Sequence, residues 1–326
     1  MGHFPRTRPF QGRISEMALS ISFLGPLGTY SHQAVRGYSA NHPVSLHPVD
    51  TIHNVCVSGV THGRPLTAPP QVIVVPLDNS TKGRVGECMR CLATGSLFGQ
   101  ERLVIIGEFS LAISHALVVH SDNISYNAMD GVRAVWSHPQ ALGQCSTFLS
   151  KTLPHAERVP TRSTAEAVAL LQEYPHDAAV ASELAAELAG AAVLYHGIQD
   201  VHGNTTRFVA ATCNPSDPAV AALVAHHKKV YHSGPAFRAI ARITGNDGID
   251  TLRGHIHGAV APLRVTGIDE AEPLDGPATK KVLIVEVSGE DIATADNLTK
   301  RLAQIPGHVD YLGAWPVPSD QIPAKL

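Results

Sequence analysis

Short apolar runs that end in a polar turn and lead into a helical stretch recur along this chain, and that order constrains the fold most. Ser20–Leu24 stops at Gly25-Pro26, and Gly28-Thr29-Tyr30-Ser31 opens a predicted helix to about Tyr38. Val72–Leu77 stops at the turn Asp78–Gly83, ahead of a helix over 84–93. Val132–Trp136 feeds Ser137-His138-Pro139-Gln140 and a helical stretch to about Leu149. Ser163-Thr164-Ala165-Glu166 has the capping-box pattern, in which Ser163 accepts from the third N–H while Glu166 reaches back. Ala178–Ala181 leads to Ser182, a helix cap, and a helix that Gly190 closes. Leu103–Ile113, Ala116–His120 and Arg207–Ala211 read as further strands. Strands alternating with helices imply parallel α/β layers. Polar motifs just beyond strand ends mark where such sheets bind ligands.

The pattern changes after the linker 214–218. Ala221–Val230 is expected as a strand, Pro235–Ile243 as a helix and Ile249–Val260 as a strand. Lys281–Val287 is a strand, Thr294–Ile305 a helix and Val309–Trp315 a last strand, with 267–278 a long loop. The sum is βαββαβ, an α+β ferredoxin-like layer of the kind that many small-molecule-sensing domains use.

A length of 326 residues accommodates two or three domains, and 44% hydrophobic residues suffice for packed cores. A net charge of −3 without a basic face gives no nucleic-acid footprint. Small anions remain open as ligands, because a few arginines and backbone N–H groups suffice for them. Cys56, Cys88, Cys91, Cys145 and Cys213 are scattered and odd in number, against a secreted disulfide framework. Cys88-Met89-Arg90-Cys91 has C-x-x-C spacing but no second ligand pair, so it reads as two reduced thiols on a helix. His226-His227 and His255-Ile256-His257 lack a third metal ligand at recognisable spacing, and no metal is expected. No apolar stretch approaches the ~20 residues of a membrane helix. Residues 1–18 read as an extension ahead of the first strand, with Met17 as an alternative start. The first 16 lack the apolar core of a secretory signal, a transit peptide is the other reading, and the expected location is cytoplasmic.

Four segments then narrow the reading. Gly25-Pro26-Leu27-Gly28-Thr29-Tyr30-Ser31-His32-Gln33-Ala34 resembles the opening G-P-x-G-T-[FY]-S-x-x-A of prephenate dehydratases. Val75–Ser80 with Gly83 is similar to that family's V-P-[IL]-E-N-S-x-x-G. Ser137–Cys145 is similar to S-H-P-Q-x-x-x-Q-C, and Asn204–Phe208 to N-x-T-R-F. Four motifs in family order, covering the first two-thirds of the chain, make the resemblance specific. It implies an α/β catalytic domain over 19–213, two-lobed like the type II periplasmic binding proteins. Its lobes would be 19–100 with 197–212, and 101–196. An ACT-like regulatory domain would follow at 219–317. It implies a lyase of aromatic amino-acid biosynthesis that takes prephenate, uses no cofactor and forms a homodimer or homotetramer.

Prephenate carries two carboxylates and a ring hydroxyl, and losing carbon dioxide and the hydroxyl together makes an aromatic ring. A donor placed against the leaving oxygen helps it depart. The resemblance assigns that part to Thr206, which we read as a positioned donor, since a free Thr hydroxyl is a very weak acid. Arg207 either makes bidentate contacts to a substrate carboxylate or forms a structural salt bridge behind the site. Asn79 and Ser80, at a strand end, would donate to a carboxylate or to the leaving oxygen. Asn79 alone would read as a turn residue, and the motif reverses that. Gln140 and Gln144 share the third motif, and the sequence leaves open which of them faces substrate. Thr29 and Ser31 stand at a predicted helix N-terminus, which favours an anion or simply needs caps. Ser137 and Phe208 come with the motifs as substrate-binding candidates, and His138 as a structural histidine.

Departures from the family pattern matter too. Asp78 stands where Glu is usual. The regulatory domain's G-A-L position reads Ser233-Gly234-Pro235-Ala236-Phe237, and its E-S-R-P position reads about Leu252-Arg253-Gly254-His255. Leu312-Gly313-Ala314-Trp315 does resemble the domain's closing strand. An amino-acid effector is therefore expected, while phenylalanine as that effector is not settled by the motifs. No chorismate mutase helices precede the domain, so a monofunctional form is expected. Competing readings are an arogenate dehydratase, a prephenate decarboxylase of specialised metabolism, and a non-catalytic small-anion sensor on the same scaffold.

Overall fold

The computed structural model describes residues 19–39, 42–59, 71–94, 103–123, 129–231, 235–245, 249–261, 263–273 and 282–317. The chain begins with β1 (Leu19–Leu24), α1 (Tyr30–Tyr38), β2 (Val44–Val49) and α2 (Ile52–Ser58). It continues with β3 (Gln71–Asn79), β4 (Gly83–Arg84), α3 (Gly86–Ala93) and β5 (Val104–Ala112). Next come β6 (Ala116–Val119), β7 (Ala134–Ser137), α4 (Pro139–Gln144), α5 (Ser146–Thr152) and β8 (Glu157–Pro160). Then follow α6 (Thr164–Leu170), β9 (Ala178–Ala181), α7 (Glu183–Ala189), β10 (Ala192–Tyr195) and β11 (Thr205–Thr212). The last part is α8 (Pro218–Tyr231), β12 (Phe237–Thr244), α9 (Ile249–Val260), β13 (Arg264–Ala271), β14 (Val282–Gly289), α10 (Ala295–Leu302) and β15 (His308–Pro316).

The first sheet runs β2-β1-β3-β11-β5 with β4 paired to β3, and the second runs β10-β6-β9-β7-β8. Both use one plan. Three strands lie parallel, and the strand that arrives from the other lobe is inserted antiparallel beside the third: β11 next to β3, and β6 next to β9. That plan is the type II two-lobed arrangement. The outer strand β5 pairs with β11, so Val104–Ala112 belongs to the first sheet and not to the second lobe in which its sequence position put it. The chain crosses between lobes twice, around Ile113–His115 and His196–Asn204. The crossings lie side by side, with Ile113 N–H donating to Asn204 O at 2.8 Å and Ile198 N–H to His115 O at 2.9 Å.

The second sheet is apolar on both faces, as strands covered by helices on either side must be. Leu117, Val119, Val135 and Val180 pack beneath α4 and α5, while Ala116, Val118, Ala179 and Ala181 meet α6 and α7. Local signals behave as read. Ser163 Oγ accepts from Glu166 N–H at 3.0 Å, Glu166 reaches back to Arg162 N–H at 2.8 Å, and Gly190 closes α7 at φ 63°.

The C-terminal sheet is antiparallel, in the order β13-β14-β12-β15, which is the ferredoxin-like order of a βαββαβ unit. Four elements ahead of its last helix differ from expectation. Residues 221–230 lie in the helix α8, begun by Asp217, whose carboxylate accepts from Ala219 N–H at 2.8 Å. Its alanines favour helix over strand. Residues 237–244 form a strand in which Phe237, Ala239, Ala241 and Ile243 point to one face and the arginines between them to the other. Residues 249–260 form a helix, whose buried Leu252, Ile256 and Val260 recur every four residues. His255 and His257, two apart on that helix, therefore do not share a face. Residues 264–271, partly assigned to a loop, are a strand. The remainder of that loop from 274, residues 1–18, and Ser233 and Gly234 lie outside the described residues.

One face of this third sheet is covered by α9 and α10, and the other is built into the first lobe. Ile240, Ile284, Leu312 and Trp315 share a core with Ile73, Val75, Leu77, Cys88, Cys91 and Ile105. Burial raises the Cys88 thiol far above its ordinary value, so the C-x-x-C thiols are core residues. His227 is buried between Tyr38 and Phe109, at ring distances of 4.5 and 5.9 Å. No helix among the described residues is long and apolar enough to cross a membrane.

Candidate active site

Between the lobes lies a cavity of about 860 Å³, lined by all four motif segments. Thr29, Tyr30 and Ser31 come from the start of α1, Pro76 and Asn79 from β3, and Asn204, Thr206 and Phe208 from β11 and the turn before it. His138, Gln140 and Gln144 come from α4 and its cap, across the cleft.

Asn79 organises the first-lobe side. Its Oδ1 accepts from the backbone N–H groups of Thr81 at 3.1 Å and Lys82 at 3.2 Å, and from the Thr81 hydroxyl at 2.7 Å. Backbone N–H groups can only donate, so the amide orientation is fixed. Asn79 Nδ2 then donates to Asn204 Oδ1 at 2.7 Å, Thr205 O at 3.1 Å and Thr206 Oγ1 at 3.0 Å. Thr206 thus accepts from Asn79, which leaves its own proton for an acceptor in the cleft.

The chain of bonds extends across the cleft. Gln144 Nε2 donates to Thr81 Oγ1 at 3.4 Å, and Gln144 Oε1 faces His115 Nε2 at 2.8 Å. His115 Nδ1 lies 2.7 Å from the Tyr30 hydroxyl, which also reaches Ser114 O at 2.8 Å. Burial pushes Tyr30 far above its ordinary value, with Cys145 adding to the rise. Burial also lowers His115, partly offset by its bond to Gln144. Both Gln140 and Gln144 line the cavity; Gln144 is the one tied into the chain. His115 and Arg162, which also line it, were not singled out from the sequence. His115 sits in no motif, and its signal was only its place between two predicted strands. Arg162 had no signal beyond the capping box beside it.

Other candidates lie elsewhere. Side chains alternate along a strand, so Thr206 and Phe208 face the cleft while Arg207 points through the other side of the sheet. There Arg207 pairs with Asp78 at 2.5 Å and with Glu286 of β14 at 2.6 Å, and Arg84 joins the same two acids at 2.9 and 2.6 Å. Glu108 joins Arg207 at 3.4 Å and is paired with Arg238, and Asp269 meets Arg84 at 3.0 Å. The structural salt bridge is therefore the role of Arg207, and substrate contact is not. Burial alone would raise Glu286, but Arg207 and Arg84 outweigh it and hold the carboxyl at about 2. Ser80 does not line the cavity. Its Oγ accepts from Thr205 N–H at 2.9 Å and tightens the turn behind Asn204. Ser137 is fully buried and donates to Val180 O at 2.6 Å, which ties β7 to β9. Thr29 lines the cavity but is also the cap of α1, accepting from His32 N–H at 3.3 Å. His138 caps α4, its Nδ1 accepting from Gln140 N–H at 3.2 Å.

A two-lobed frame with a hydroxyl pinned in its cleft is a ligand-binding scaffold that carries a placed hydrogen-bond donor. A family model described as prephenate dehydratase matches residues 21–215. The chain belongs to the prephenate dehydratase family. It is 29% identical over 310 residues to the bifunctional chorismate mutase/prephenate dehydratase of Neisseria gonorrhoeae, covering 92% of this chain and 75% of that protein. Against the Buchnera aphidicola protein of the same description it is 33% identical over 199 residues, 60% of this chain and 48% of that one. Among solved structures, a prephenate dehydratase from Arthrobacter aurescens in complex with L-Phe superimposes with a TM-score of 0.73 at 22% identity, covering 94% of this chain and 93% of that one. A structure described as GqqA, a novel type of quorum quenching acylase, superimposes with a TM-score of 0.70 at 24% identity, covering 93% and 100%. At those identities the superpositions speak for the fold.

Proposed function

We propose that this chain converts prephenate to phenylpyruvate, carbon dioxide and water. The bond from the ring to its carboxylate breaks, and its electron pair enters the ring. The bond to the ring hydroxyl breaks at the opposite carbon, and the departing oxygen takes up a proton. Thr206 is the donor aimed at that oxygen, through a hydrogen bond that strengthens as charge develops. The observation that carries the reading is the fixed Asn79 amide, which occupies a Thr206 lone pair and so leaves the hydroxyl to donate. Ser31 and Gln140 line the same cavity and are the groups we assign to the substrate's carboxylates and side chain.

The test is incubation of the purified protein with prephenate, following phenylpyruvate by its ultraviolet absorbance in base, beside Thr206→Ala. The parent is expected to form phenylpyruvate, and the variant to lose about 10²-fold or more in kcat. Prephenate consumed without phenylpyruvate would identify the decarboxylase. Prephenate left intact would move the assignment to arogenate or to a sensor.

We read the ferredoxin-like unit as an ACT-like domain that takes an amino-acid effector. Its sheet reaches the catalytic strands directly through Glu286 and Arg207. Phenylalanine, captured in the Arthrobacter structure, is the first ligand to try. A rate unchanged by phenylalanine would exclude it as the effector.

A further inference from the structure

The charges around the cavity do not suit a dianion. Asp50, Glu166 and Arg162 are its charged lining residues, and together they leave one negative charge. Arg162 is moreover already paired with Glu166 at 2.7 Å. Backbone N–H groups at the starts of α1 and α6 can hold one carboxylate, a second gains from added positive charge, and the lining offers two histidines, His115 and His138.

The two are not equivalent. His138 Nδ1 accepts the Gln140 backbone N–H that caps α4. A proton there would set two donors against each other and undo the cap, so His138 is held neutral. His115 has no such lock. The fixed Asn79 amide draws the Thr81 proton, and Thr81 then accepts from Gln144 Nε2. Gln144 therefore turns its oxygen to His115 Nε2, which carries a proton. The other nitrogen, Nδ1, faces the Tyr30 hydroxyl, which has Ser114 O as a second acceptor. With His115 neutral, Tyr30 donates to Nδ1. With His115 charged, Nδ1–H donates to Tyr30 Oη, and Tyr30 turns its proton to Ser114 O. Every bond is kept in both states.

We propose that His115 is a further functional residue of this site, taking up a proton as the dianionic substrate enters and supplying the cation that the cavity lacks. The proposal rests on the prephenate reading above. Tyr30 from α1 and Gln144 from α4 bond its ring, with Cys145 behind Tyr30; His138 at the cap of α4, Arg162 and Glu166 at the start of α6, and Asp50 after β2 are the other titratable and charged groups of the cavity. Burial keeps His115 uncharged in the empty cleft, so the proton arrives with the ligand.

The test uses the full chain carrying Thr206→Ala, which slows turnover, titrated with prephenate by calorimetry at pH 7 in buffers of different ionisation enthalpy. Uptake of about one proton per substrate is expected. The uptake should vanish with His115→Gln, which keeps a donor toward Gln144 but cannot gain charge, and should shrink with Tyr30→Phe. In the otherwise unaltered chain, His115→Gln should raise KM by roughly tenfold and remove its rise with pH, with a smaller effect on kcat. Uptake that is absent, or equal in the His115→Gln protein, overturns the proposal while the dehydratase reading stands. A parent protein that leaves prephenate untouched overturns both.

Discussion

Asn79 shows how one side chain can set the polarity of a site. Two backbone donors hold its oxygen, so its nitrogen has to face Asn204 and Thr206. Asn79→Asp would place an acceptor where that donor stands, and Thr206 would spend its proton on the new carboxylate. The expected outcome is a fall in kcat of about 10²-fold, close to that of Thr206→Ala, measured as phenylpyruvate formation. At this scale the sequence was legible where motif and strand parity agree. Thr206 and Asn79 fall in motifs and line the cleft. Arg207 shares a motif with Thr206, yet the alternation of side chains sends it through the sheet, and nothing in the four motifs states which parity faces the cleft. His115 lies outside every motif and depends on the crossing between lobes, which only the assembled sheets define.

Strands β3, β4, β11 and β14 are held by one buried cluster of charge, in which Arg207 and Arg84 both lean on Glu286. Removing one partner of a buried pair leaves the others uncompensated. Glu286→Gln should lower unfolding free energy by about 3 kcal/mol at neutral pH, read from urea denaturation. The Glu286 carboxyl is held at about 2, below its ordinary 4.5. Its contribution is thus complete above pH 4.5 and is lost as pH falls toward 2, so the gap between parent and variant should close over that window. The element types of the first two-thirds were readable because apolar runs and caps agreed. Those of 221–260 were not. Val220, Val224 and Val230 mask the helical preference of the alanines in α8, two glycines weaken the pattern of α9, and the arginines of β12 hide its alternation until their acidic partners on other strands are known.

For the whole molecule, the start of α1 is one place where the lobes touch. Gly28 O accepts from the Ser182 hydroxyl at 2.9 Å, and a Cβ on Gly28 would stand 3.2 Å from the Ala185 backbone at φ +89°. Gly28→Ala is expected to strain the turn and its contact with α7, raising KM by about tenfold in the phenylpyruvate assay. The third sheet is part of the first lobe's core, so a chain ended after Asp217 should expose Ile73, Val75 and Ile105, bind a hydrophobic dye and aggregate. Finally, the two crossings that join the lobes lie side by side, bonded from Ile113 to Asn204. A turn of one half against the other about these crossings would displace Ser114, His115 and Asn204 least, because points on an axis move least. The Gln144–Thr81 bond, at 3.4 Å longer than the 2.8 Å between Gln144 and His115, would be the one to part first.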